Sequence, residues 1–218
     1  MQKSFITDKD MEFITEKILA NANLATTWQG YVAKTDIDSI IEFEYGLDIQ
    51  WENIDHLCTD GIVLAAIIPD QKLIYMNESQ KCMFVEKMGT MNFSKAHELG
   101  HWILHVTEQQ EYEQLSFGQS DRYFCRSNAK RMPEEIQADM FAAAILMPKE
   151  IITGAISDLI SRKRVVLRDL YILKDSFEVS ISALTNRIRA LKLLYIDDNG
   201  KIFMNEAEAL GQLTLFDY

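Results

Sequence analysis

The chain has 218 residues, 48% of them hydrophobic and 25% charged, and a formal net charge of −11. With only 9 Gly and 3 Pro, it is neither disordered, collagen-like nor low-complexity, and it is long enough for a sizeable core. Its acidic field repels phosphate backbones and anionic lipid, which excludes a general nucleic-acid binder, and no apolar run approaches the roughly 20 residues of a membrane span.

The first 13 residues carry no apolar stretch behind a basic leader, so no secretory signal is read there and a cytoplasmic protein is expected. Cys58, Cys82 and Cys125 lack CxxC spacing and are read as ordinary thiols. Residues 8–20 place Met11, Ile14, Ile18 and Leu19 on one side of an amphipathic helix. Residues 36–45 read as a second helix, opened by Asp36 or Asp38 and closed at Gly46. Residues 47–54 alternate like a strand. Two short apolar runs joined by Asp70-Gln71 suggest a β-hairpin, which completes a small antiparallel sheet.

Residues 92–106 predict a strong helix. Residues 107–133 are polar and irregular, and a loop of that length is functional or disordered. Residues 134–147 predict another helix, stopped by Pro148, and a further one covers roughly 149–160. The remainder reads as helix (165–174), turn (Ser176 to Ser180), helix (181–193) and a hairpin at Asn199-Gly200. That is the outline of a helix-turn-helix with a short wing. The expected division is a domain over 1–160, with 1–34 as a helical extension, and a winged helix-turn-helix-like segment over 161–218.

The chemistry concentrates in His97-Glu98-Leu99-Gly100-His101. Histidines four apart on a helix lie about 40° apart around the axis and about 6 Å along it, so both imidazoles can converge on one ion. Zinc accepts neutral imidazole, and open catalytic sites combine three protein ligands with water. Glu98, beside the first histidine, reaches the water instead of the metal, the place of a general base. Phe93, Ala96, Leu99, Trp102 and Ile103 give the same helix an apolar surface to bury. His105 extends the row but stands about 12 Å along the axis from His97, too far to share the ion, and reads as a helix-end or pocket residue.

The next helix supplies Glu135 and Asp139, four apart on one face, with Ile136, Met140, Phe141, Ala144 and Ile145 as its apolar positions. A buried carboxylate pair without cations is costly. A divalent ion resolves it if Glu135 is the third ligand and Asp139 accepts a ring N–H from His97, fixing the imidazole tautomer. The bland alternative is a solvated acidic face.

These stretches, from Phe93 to His101, from Glu135 to Ala143 and Leu146-Met147-Pro148, closely resemble the ImmA/IrrE family of metallopeptidases. So do Ile74 to Asn77, Phe124-Cys125-Arg126 and the turn Phe177 to Ser180. The resemblance runs from about residue 35 to about residue 195 and implies an α+β fold: a helical, gluzincin-like core with a small antiparallel sheet. It implies a Zn2+ endopeptidase with His97, His101 and Glu135 as ligands and Glu98 as base, Asp139 standing behind the ligands. Members are bacterial or phage-encoded, and several inactivate a helix-turn-helix repressor of a mobile element. The expected substrate is therefore a regulatory protein. His105, Tyr112 and Tyr123 are unranked candidates for the oxyanion donor. The alternative is a metal-containing regulator that binds a repressor or DNA without proteolysis.

Residues 161–195 carry eight basic and three acidic side chains, a local +5 against −16 elsewhere. Arg187, Arg189 and Lys192 read either as phosphate contacts or as the solvated face of a packing helix. Arg187 and Arg189 diverge on the helix, and Asp197 and Asp198 at the wing would face phosphates unfavourably. The expectation is that this segment packs against the core and positions a protein substrate, with no specific DNA binding and no membrane partner.

Overall fold

In the computed structural model, which describes residues 6–57, 61–106, 132–162, 165–197 and 199–211, the chain opens with α1 (Asp8–Asn21). Thr7 and Asp10 form a reciprocal capping box at its start, and Met11, Ile18 and Leu19 are buried. The next helix, α2 (Ile37–Ser39), is opened by Asp36, whose carboxylate accepts the Ser39 N–H. It widens into a π turn over Ile40–Glu44 and ends at Gly46, whose φ of +60° few other residues tolerate.

Three strands follow: β1 (Asp48–Glu52), β2 (Ala65–Ile68) and β3 (Leu73–Asn77), in the order β1-β3-β2. The β2–β3 hairpin is antiparallel, turning through Pro69–Gln71 with Lys72 left-handed. By contrast β1 runs parallel to β3, so the sheet is mixed and not wholly antiparallel. Alternation in 47–54 is the same for either direction. In the structure the start of β1 lies beside the start of β3, where the Asp48 N–H meets the Lys72 carbonyl. As the central strand, β3 is the most buried, with Ile74 and Met76 fully enclosed.

After α3 (Lys81–Glu86) comes α4 (Met88–His101), which starts four residues earlier than its apolar pattern predicts and loosens into a π turn over Trp102–Val106. Beyond the gap lie α5 (Pro133–Leu146), with Pro133 in its first turn, and α6 (Lys149–Arg162). The helix-turn-helix consists of α7 (Leu167–Phe177) and α8 (Ile181–Ala190), the latter capped by Ser180. A wing of β4 (Tyr195–Ile196) and β5 (Ile202–Phe203) turns around the Asp197 carboxylate, and a short α9 (Glu206–Ala209) follows.

One apolar cluster runs from α1 through the sheet, α4, α5 and α6 into α7 and α8, and includes Leu19, Ile74, Leu99, Phe141, Ile152, Leu170 and Ile188. No single helix among the described residues is long and apolar enough to cross a membrane; α5 and α6 qualify only as a pair bent by 60°. Two glycines record how closely the site helix is held. A Cβ on Gly100 would lie 3.1–3.2 Å from Phe141 and Ala138 on α5, and one on Gly89 would lie 2.2 Å from the Val179 carbonyl carbon between α7 and α8.

Candidate metal centre

The pairing of α4 with α5 builds the site. Gly100 lets the two backbones approach closely, and that approach carries Glu135 across to the histidine face of α4. His97 Nε2 and His101 Nε2 lie 3.0 Å apart. Glu135 Oε2 lies 3.4 Å from the first and Oε1 lies 3.2 Å from the second. These three residues form the group among the described residues that can hold a metal ion.

Their spacing can be tested against zinc. A tetrahedral ion with bonds of about 2.0–2.1 Å holds its ligand atoms roughly 3.3 Å apart, and the three separations here straddle that value. The protonation pattern agrees. His97 Nδ1 is 2.9 Å from Asp139 Oδ1, and an ionised carboxylate only accepts, so the ring proton sits on Nδ1. The Nε2 lone pair is thereby turned into the cluster. Burial pushes the His97 imidazole down, but the hydrogen bonds to Asp139 and Glu135 and the charge of Glu98 outweigh it and hold it up to about 9. Burial likewise pushes Glu135 up, while His101 and His97 draw it well below the usual carboxylate range. The first direction reports the carboxylates gathered around His97, and the second keeps Glu135 ionised beside the two imidazoles. The donor set fits a zinc-type ion.

Glu98 stands beside this cluster without joining it. Its side chain is buried, and its Oε2 accepts the Ile67 N–H at 3.0 Å. In the antiparallel register, with the Asn77 N–H bonded to the Leu64 carbonyl, the backbone groups of Ala65 and Ile67 turn away from β3. The outer edge of β2 therefore faces α4, and the recess between them is lined by Val63, Ala65, Ser94, His97 and Glu98. His105 lies outside the cluster, its Nε2 3.3 Å from the Glu134 carbonyl at the start of α5. Tyr112, Tyr123 and the Phe124-Cys125-Arg126 stretch lie outside the described residues, as do Cys58 and Cys125.

Three contacts had no signal in the sequence. Lys95, two residues before His97, is buried against the Asp38 carboxylate and ties α4 to α2. The Ile67–Glu98 bond joins strand to helix. Arg187, read beforehand as a phosphate contact or part of a solvated face, is neither. Its guanidinium is buried, donates to both Glu12 oxygens at 2.6 and 2.8 Å, and its Nε donates to the Met147 carbonyl. A partner 175 positions away leaves no trace in local spacing. Arg189 is exposed and donates to the Ile196 carbonyl. Two apolar positions of α5 also differ from expectation: Ile136 is 38% exposed and Met140 is half-buried, while Phe141, Ala144 and Ile145 fill the core.

An α+β chain whose paired helices present two histidines four apart and a glutamate has the layout of a metallopeptidase. Residues 48–189 match the family model Peptidase_M78, described as the IrrE N-terminal-like domain, and the chain belongs to that family. No curated protein matches it by sequence. Among solved structures, a Mycobacterium tuberculosis transcriptional regulator shares its fold, with a TM-score of 0.51 and 16% identity. The match covers 89% of this chain and 53% of the regulator, so this chain spans about half of that protein's length.

Proposed function

We propose that the chain is a zinc-dependent endopeptidase that cuts a regulatory protein, a helix-turn-helix repressor being the expected substrate. The observation that carries this reading is the placement of Glu98 between the His-His-Glu cluster and the outer edge of β2. An extended peptide can add to that edge beside the Ile67 N–H, which Glu98 already holds, and so lay a peptide bond over the cluster. A bound zinc ion would supply Lewis-acid polarisation of the carbonyl and a lowered pKa for water.

The chain's own residues do the rest. His97, His101 and Glu135 hold the ion, and Asp139 keeps the His97 proton on Nδ1. One Glu98 oxygen is fixed by the Ile67 N–H, which aims the carboxylate and leaves its other oxygen to take a proton from water and deliver it to the leaving amine. Glu98→Gln keeps the shape and the Ile67 contact but removes the acceptor. It should retain metal and lose about 10²–10⁴-fold in cleavage of a helix-turn-helix repressor offered as substrate. A native rate in that variant would sink the mechanism.

A second reading, regulation by binding without cutting, draws on the name of the solved neighbour and on the α7–α8 pair. The burial of Arg187 weighs against DNA readout by α8. The expected DNA affinity is non-specific, about 10⁻⁴ M or weaker at physiological salt. Anisotropy titration showing sequence-selective submicromolar binding in Glu98→Gln would promote this second reading.

A further inference from the structure

Beside the cluster lies a cavity of about 550 Å³, walled by α1, α4, α5 and α8. On α4 it is bounded by Thr90 and Phe93, which precede His97 by two turns and one turn on the same face. On α5 its wall begins at Asp139, the partner of His97, and continues through Met140 and Ala143. Ser94 borders both this cavity and the recess beneath the β2 edge. The cavity therefore lies along the α4–α5 pair on the Asp139 side of His97, and Ser94 separates it from the recess at Glu98. Its volume falls within the roughly 300–1,000 Å³ of specific binding pockets.

Its lining states what it would accept. Ile136, Met140 and Phe93, which the helical pattern assigns to the core, turn apolar surface into the cavity instead. The charged groups among the lining residues are Asp8, Glu12 and Asp139 against Arg187 alone. That guanidinium is already bound by both Glu12 oxygens and donates to Met147. An entering carboxylate would lose its water and meet a neutralised arginine and two further carboxylates. An uncharged apolar group meets no such penalty.

We propose that this cavity is the specificity pocket of the peptidase, taking an uncharged apolar side chain of the protein substrate beside the bond to be cut and rejecting Asp and Glu. The inference rests on the peptidase reading above. Two of its four walls, Met11 on α1 and Ala183 and Asn186 on α8, come from outside the metal-bearing helices. Substrate selection is thus set by the N- and C-terminal parts of the chain, while the reaction belongs to α4 and α5.

Two measurements test it. In the first, the Met11 and Met140 methyls are observed by ¹³C NMR while N-acetyl-leucine amide or N-acetyl-glutamate amide is added. Both methyls should shift saturably with the leucine derivative and stay put with the glutamate. Ala183→Trp fills the cavity and should abolish the shifts, and Asn186→Trp, built on the exposed rim, does the same with less risk to folding. In the second, the zinc-loaded protein is incubated with a mixture of synthetic peptides and the cut sites are read by mass spectrometry. Leu, Met and Phe should exceed Asp and Glu roughly tenfold or more at one fixed position beside the cut, and the Trp variants should lose that preference. Unmoved methyls, equal shifts with both amides, or cutting indifferent to apolar residues would overturn the pocket. Saturable, leucine-selective shifts with neither the peptides nor an intact helix-turn-helix repressor cut would support the pocket and overturn the peptidase reading.

Discussion

Glu12→Ala should destabilise the protein far more than a single change on a terminal helix ordinarily does. The substitution removes both carboxylate oxygens that hold Arg187, leaving a guanidinium 7% exposed with the Met147 carbonyl. Breaking a buried ion pair by removing one partner costs about 3–5 kcal/mol, because the other charge is stranded. Glu12 is itself 15% exposed, so water relieves part of the loss and the lower end applies. At about 3 kcal/mol, and about 2–4 °C of Tm per kcal/mol for a chain of this size, the melting temperature should fall by about 6–12 °C. The double variant Glu12→Leu with Arg187→Met removes both charges and keeps the volume, so it should recover most of that loss. Thermal and urea unfolding of the wild type, Glu12→Leu, Arg187→Met and the double variant gives the coupling directly. A Glu12→Ala protein that melts with the wild type, or a double variant as unstable as the two single changes summed, would refute the reasoning.

The metal cluster makes a sharper distinction between neighbours: Glu135→Ala should lose the ion and Glu134→Ala should keep it, as measured by metal analysis after dialysis. Asp139→Ala should weaken metal affinity by about 10–100-fold, the usual cost of removing a carboxylate behind a ligating histidine, as read by competition with a chromogenic chelator. On the acid side, Asn77 and Ser79 hold the Asp55 carboxyl below its ordinary value, with a smaller contribution from His56. A depressed folded-state value means that this contribution is present above the unfolded value of about 3.9 and fades as pH falls through the folded one. Asp55→Asn should therefore flatten the urea midpoint between about pH 5 and 3, and an unchanged slope would show that Asp55 does not contribute.

The site was legible in the sequence because its logic is local. His97 and His101 are one helical turn apart, as are Glu135 and Asp139, and a 3.6-residue period puts each pair on one face. The charge argument that a buried carboxylate pair needs a cation then joined the two helices without coordinates. What stayed hidden is set by distance along the chain. Alternation in β1 marks a strand but is silent on which neighbour it joins and in which direction. The Ile67 N–H that reaches Glu98, Asp38 beneath Lys95 and Glu12 against Arg187 are meetings of elements far apart in sequence. Ile136 and Met140 misled for another reason: an apolar stripe marks a face withdrawn from water, and a cavity wall and a core both satisfy that pattern.

Gly89 carries a consequence for how this protein can be divided. At the N-terminal end of α4, where a side chain would collide with Val179 and Ser180, the helix bearing both histidines leans on the turn between α7 and α8. Asn92 fastens the contact through the Glu178 carbonyl, and Lys34 reaches the Glu178 side chain from before α2. A chain cut short ahead of α7 would leave those first turns of α4 without their support and expose a bare glycine backbone to water. The histidine helix and the helix-turn-helix are in that sense one inheritance: a descendant that discarded the C-terminal helices would have to rebuild the footing of its metal ligands as well.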